Sequence, residues 1–143
     1  PMQVRAILKN KGRTVETIQA TALVSDVIDR LKSKRIGVLV VSQTGSDIVG
    51  IVSERDIVSG LAEQGPSLLD QRVETIMTRE VKTCAPDDTI ISVMKIMTDR
   101  RIRHVPVLQD GALVGIVSIG DAVKFRLQEL ETEASHLRDY ISH

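Results

Sequence analysis

Apolar positions along the chain follow two alternating periods, and the order of that alternation occurs twice. Leu23, Val27, Ile28 and Leu31 recur at helical spacing, as do Ile90, Val93, Met94 and Met97, which predicts helices over roughly 23–34 and 89–100. A short β-rich run precedes each helix, at 15–18 and 81–84. Two more follow each, at 37–41 with 48–52 and at 103–108 with 113–117. The polar turns QTGSD and QDGA join the members of each pair, so both pairs read as hairpins, and each hairpin runs into a second helical segment. The predicted unit is β-α-β-β-α, present twice.

The copies also agree residue by residue. Setting Thr14 against Glu80 brings Val15/Val81, Thr17/Thr83, Val27/Val93, Arg35/Arg101, Ile36/Ile102, Val41/Val107 and Gly45/Gly111 into register. VGIVS then repeats outright as 49–53 and 114–118, once Ser46 is taken as an extra turn residue. The chain therefore reads as an α+β protein with repeat 1 over 7–64, a connector over 65–75 containing Gly65 and Pro66, and repeat 2 over 76–127. Neither half-sheet is large enough to bury its helices alone, so the two should pack about a pseudo-twofold axis as one folding unit. Pro1 ahead of Met2 reads as a processing remnant, and the extreme N-terminus is given no structural weight.

A third pattern begins where the second repeat ends. Over 121–143, Val123, Leu127, Leu130, Ala134, Leu137 and Ile141 are spaced 4, 3, 4, 3, 4, an amphipathic heptad seam. Such a helix either lies back on its own core or pairs with a second chain. Because it outruns the repeat, pairing is favoured and a homodimer is expected.

Composition narrows the function. Lysine plus arginine and aspartate plus glutamate both number 19, giving a formal net charge of +0, so no global field draws the chain to nucleic acid or to a membrane surface. Aromatic residues make up 1% of the sequence, too few for base-stacking platforms. One cysteine, Cys84, aligns with Ile18 and reads as a small buried hydrophobe; no spacing of cysteine and histidine suggests a metal. No apolar run approaches the roughly 20 residues that span a bilayer, and no secretory leader is visible, so a cytoplasmic location is expected.

The candidate chemistry lies in GIVSERD at 50–56 and GIVSIGD at 115–121. In both, a serine ends a strand and an aspartate follows three residues later in the first turn of a helix, the spacing of a capping box. The same geometry suits a nucleotide: a helix start offers N–H groups and partial positive charge to a phosphate, while a carboxylate accepts both hydroxyls of a ribose diol. Gly50 and Gly115 serve either tight packing or close approach of a ligand. Capping and ligand binding both remain open on local sequence.

Taken together, the paired β-α-β-β-α copies, VGIVSERD and VGIVSIGD, the MT of IMTREVKT, and RIRHVPVLQDGALVGIVSIGD resemble a tandem cystathionine-β-synthase (CBS) domain pair, a Bateman module, over roughly residues 7–127. The resemblance implies a non-catalytic sensor that binds AMP, ADP, ATP, NAD(H) or S-adenosylmethionine in clefts between the copies and signals to a separate, unidentified protein. It implies that Asp56 and Asp121 hold ribose diols, that Ser53 and Ser118 face phosphate, and that Thr17 and Thr83 stand beside the ribose. Ala20, Val38, Pro86 and His104 would frame the adenine. The copies differ in charge, with Arg55 against Gly120, and with Arg101, Arg103 and His104 in copy two, so their ligand preferences should differ. Two other readings compete: a structural dimer whose motifs only cap helices, and a nucleotide-using enzyme. The enzyme reading lacks a GxxxxGK[ST] loop, a GxGxxG turn and any nucleophile–base pair, and it is not expected.

Overall fold

The computed structural model describes residues 1–142. In chain order the elements are α1 (Val4–Lys11), β1 (Thr17–Ile18), α2 (Val24–Lys34), β2 (Val38–Val41), β3 (Gly50–Ser53), α3 (Glu54–Gln64), α4 (Ile90–Arg100), β4 (His104–Gln109), β5 (Ala112–Ser118) and α5 (Ile119–Ser142). The chain divides into two compact units. One holds residues 14–81 with 110–113; the other holds 1–13, 82–109 and the chain from Val114 onward.

In the unit holding 14–81, β2 lies between β1, which is parallel to it, and β3, which is antiparallel, with Val38 opposite Ser53 and Val41 opposite Gly50. Flanked on both edges and buried along its length, VLVV needs the apolar run it has. Ile18, Val24, Val27, Leu31, Leu39, Val41, Val52 and Ile57 make the core. The connector between the repeats is itself ordered. Residues 65–75 form two 3-10 turns (Gly65–Asp70 and Val73–Thr75) whose Leu68 and Val73 are wholly buried in that core. Gly60 makes room for them, since a Cβ there would meet Leu68 Cδ2 at 2.9 Å.

In the other unit the expected first strand at 81–84 shrinks to a single bridge, Cys84 with Val107. Cys84 donates to Pro106 O and accepts from Leu108 N–H. The preceding rung would need a donor at Pro106, which has none; its counterpart in the other sheet, Val40, does donate to Glu16 O. Even there the strand expected over 15–18 is only Thr17–Ile18. Cys84 is buried as expected, and burial, with the nearby charge of Asp88, pushes its thiol up to about 12.

The N-terminus departs most from expectation. Residues 4–11, of which 7–11 open repeat 1 in the sequence reading, form a helix in the unit of repeat 2, where Val4, Ile7 and Leu8 are buried against Ile90, Val93, Met97, Val105, Val117 and Phe125. Three hydrogen bonds anchor this lead: Val4 N–H to Asp88 O, Arg5 N–H to Pro86 O and Ile90 N–H to Met2 O. The same set recurs in the first unit as Val73 to Ala22, Glu74 to Ala20 and Val24 to Gln71. VRAIL at 4–8 and VETIM at 73–77 are thus a further repeated phrase. Each unit contains the hairpin of one repeat and the lead segment that precedes the other.

The terminal helix starts at Ile119, continuous with the second helix of repeat 2, and His143 lies outside the described residues. It packs on its own unit, but not through the heptad seam. Ala122, Phe125 and Glu129 face the core, and the Glu129 carboxylate accepts the Met2 N–H and an Arg126 N–H at 2.7 Å. Those bonds, the Met2 contact foremost, hold its pKa below the ordinary glutamate value. All six seam residues are exposed.

Candidate functional site

Ser53 closes β3 and caps α3. Its Oγ accepts the Asp56 N–H at 3.4 Å while its own N–H reaches Asp56 Oδ2 at 2.9 Å. The Glu54 N–H goes back to Gly37 O at 3.1 Å, tying the helix start to the head of β2, where Val38 lies buried opposite Ser53. Copy two repeats the arrangement: Ser118 N–H to Asp121 Oδ2 at 3.0 Å, Asp121 N–H to Ser118 Oγ at 3.1 Å, and Ile119 N–H to Arg103 O at 2.8 Å. Both motifs therefore do cap helices. Capping engages one carboxylate oxygen, and each aspartate meets a second partner that distinguishes the two sites.

That partner comes from the lead segment in each case. Thr78 exchanges both backbone hydrogen bonds with Ile51, and its Oγ1 lies 3.3 Å from Asp56 Oδ1. Lys11, at the end of α1, donates to Asp121 Oδ2 at 2.7 Å and to Ile116 O at 3.1 Å. Burial pushes the Asp121 carboxyl up, but the Lys11 ammonium and the Ser118 hydrogen bonds outweigh it and hold the group below 3.8. Lys11 is not singled out by sequence reasoning, and Thr78 enters it only as part of the MT of IMTREVKT, with no role given. The signal was the VRAIL and VETIM phrase, which each follows within three residues.

The glycines of the motif serve these leads. A Cβ on Gly50 would stand 2.6 Å from Met77 Sδ and 3.0 Å from Thr78 O, and one on Gly115 would stand 2.3 Å from Leu8 Cδ2. Close packing of the leads accounts for both.

The other expected residues divide into two groups. Arg55 and Gly120 are the second residues of α3 and α5, exposed beside the capped turn. His104 heads β4, next to Arg103, whose carbonyl holds the start of α5. Arg101 is the left-handed C-cap of α4 with φ 55°, as Arg35 is of α2, and its N–H bonds Met97 O. These residues fall at the Ser-x-x-Asp end of their sheets.

Ala20 and Pro86 do not. β1 runs so that Thr17 faces Val40 and Ile18 faces Val41, two and three residues along β2 from the Val38–Ser53 pair, the second roughly 10 Å away, and Ala20 lies beyond that. The carbonyls of Ala20 and Pro86 accept from the Glu74 and Arg5 N–H groups, so both residues anchor lead segments. Thr83 precedes the Cys84 bridge as Thr17 precedes Ile18. Thr17 lines an open groove at the far end of its sheet with Gln19, Asp26, Arg30, Ser42 and Thr44. Among the described residues no group of histidine, cysteine, aspartate and glutamate is placed to hold a metal ion, and no helix is long and apolar enough to cross a membrane.

Two β-α-β-β-α copies, each turning from hairpin to helix through a Ser-x-x-Asp cap, define a tandem-repeat module. The chain belongs to the CBS domain family, whose sequence model matches residues 7–63 and 73–128. It is 36% identical to the mitochondrial CBS domain-containing protein CBSX3 of Arabidopsis thaliana, over 94% of this chain and 69% of that one. The chain spans 66% and 34% of two archaeal relatives, from Acidianus ambivalens and Thermofilum pendens. Among solved structures, a CBS-domain containing protein from Agrobacterium tumefaciens aligns with TM-score 0.85 and 40% identity, over 87% of this chain and 99% of that one. Two others carry ligands. The CBS domain pair of protein MJ0100, with 5-methylthioadenosine and S-adenosyl-L-methionine, aligns with TM-score 0.78 and 27% identity over 90% and 99% of the chains. A CBS domain protein from Pyrobaculum aerophilum complexed with AMP aligns with TM-score 0.75 and 28% identity over 84% and 89%.

Proposed function

We propose that this chain is a regulatory, non-catalytic module that binds an adenosine-containing ligand at its two Ser-x-x-Asp turns and transmits occupancy to a separate protein. The observation that carries the reading is the second role left to each capping aspartate: its carboxylate stands at a helix start with an exchangeable partner, Thr78 or Lys11. A ribose diol donates two hydroxyls to such a carboxylate, while a phosphate is attracted to the partial positive charge of the helix start. The AMP and S-adenosylmethionine complexes of similar proteins support this ligand class. ADP, ATP and NAD(H) share the adenosine moiety and belong to the same reading.

The two turns should not select alike. At Asp56 a ligand competes with a neutral hydroxyl at 3.3 Å; at Asp121 it meets a carboxylate already carrying Lys11 at 2.7 Å. Ligand at the second turn is therefore linked to the end of α1, and through it to the helix that packs Leu8 under Gly115. Such a linkage turns occupancy into a change that a partner can read.

Thermal unfolding at fixed protein concentration, with AMP, ATP, NAD+, S-adenosylmethionine and GMP in turn, tests the proposal. At a hundredfold excess over Kd a ligand adds about 2.7 kcal/mol of stability, a shift of several degrees. Adenosine ligands should raise Tm and GMP should not. A flat panel from ligand-free protein would leave the hydrogen bonds seen at Ser53 and Ser118 as helix caps and nothing more.

A further inference from the structure

The terminal helix carries two faces, of which its own chain covers one. Ala122, Phe125 and Glu129 turn inward, while Val123, Leu127, Leu130, Leu137 and Ile141 are exposed on another side, the last two by 60 and 74%. With Val123 at heptad position d, the a positions are Leu127, Ala134 and Ile141, and the d positions are Val123, Leu130 and Leu137. The core-facing residues are then c and f, on the opposite side from the seam.

We propose that residues 123–141 pair with the same segment of a second copy of this chain as a parallel, in-register two-stranded coiled coil. The flanking charges select both partner and direction. The g positions hold Arg126 and Glu133, and the e positions hold Lys124, Glu131 and Arg138. In a parallel pair each g residue faces the following e residue of the other helix, which sets Arg126 against Glu131 and Glu133 against Arg138, opposite charges in both cases and doubled by symmetry. In an antiparallel pair e faces e and g faces g, which sets Lys124 against Arg138, Glu131 against itself and Glu133 against itself. Every charged contact is then repulsive. In the C-terminal half of the seam, Leu130 and Leu137 at d with Ile141 at a suit two strands, and Ala134 lets the helices approach at the centre. The segment is about 28 Å long, five turns of seam. The proposal does not depend on ligand binding.

Sedimentation velocity on the full chain tests it. The native protein should sediment as a dimer, and Leu130→Asp with Leu137→Asp should yield a folded monomer with unchanged Tm in ligand-free buffer at low protein concentration, because neither side chain touches the core. Arg138→Glu should weaken association at least tenfold by setting glutamate against Glu133, and Glu133→Arg with Arg138→Glu should restore it. Leu130→Cys should form a disulfide-linked dimer under mild oxidation, since the native Cys84 is buried. A native monomer would overturn the proposal, as would a dimer that Arg138→Glu tightens, the antiparallel result. A dimer indifferent to both seam aspartates, with no cross-link formed by the Leu130→Cys variant, would place the interface elsewhere and overturn it equally.

Discussion

Asp121 and Lys11 carry the chemistry that most separates the two halves of the molecule. Lys11 lowers the pKa of the folded-state carboxyl relative to the unfolded chain, so the pair stabilises the protein above the ordinary value of 3.8 and the contribution disappears as pH falls through the folded-state pKa. Lys11→Met should therefore cost stability at neutral pH and little at the acid end. With side chains 34 and 24% exposed, the neutral cost is about 0.5 kcal/mol. Urea midpoints at both pH values check the sign. The serine and aspartate of each turn were legible in sequence because capping and ligand binding call for the same three-residue spacing. The contacts of Lys11 and Thr78 with those aspartates were not, because each reaches its aspartate from a segment outside the repeat it serves.

Helices and hairpins followed from periodicity because α2, β2, α4 and β4 bury one clear face or run, and tertiary packing confirmed what local pattern already favoured. The lead segments escaped for a related reason. VRAIL and VETIM are too short to show a period, and their burial is imposed by the strands and helices they pack on. Spacing along the chain does not reveal which end of a sheet Ala20 occupies; that took the parallel register of β1 on β2. The leads make a sharp stability prediction. Gly50→Ala would drive a methyl against Met77 and the Thr78 carbonyl and should cost about 1–3 kcal/mol, read as a fall in Tm. Gly120→Ala is the control: its Cβ would meet nothing nearer than Ser118 Oγ at 3.7 Å, so stability should be unchanged or slightly raised.

At the scale of the whole molecule, the sequence repeat showed two Ser-x-x-Asp turns without showing which partner each aspartate meets. Arg55 against Gly120 is visible in the alignment, whereas the ammonium on Asp121 and the hydroxyl on Asp56 required the fold. Independent sites follow as an expectation: each aspartate belongs to a different unit, so losing one should spare the other. Calorimetric titration of AMP and of S-adenosylmethionine into ligand-stripped protein tests this most directly, comparing the native chain with Asp56→Ala, Asp121→Ala and the double variant. The account predicts saturable binding to the native chain, loss of one class of site by at least tenfold in each single variant, and no measurable binding in the double. Full-strength binding in the double variant, or no heat from either ligand with the native chain, would contradict it.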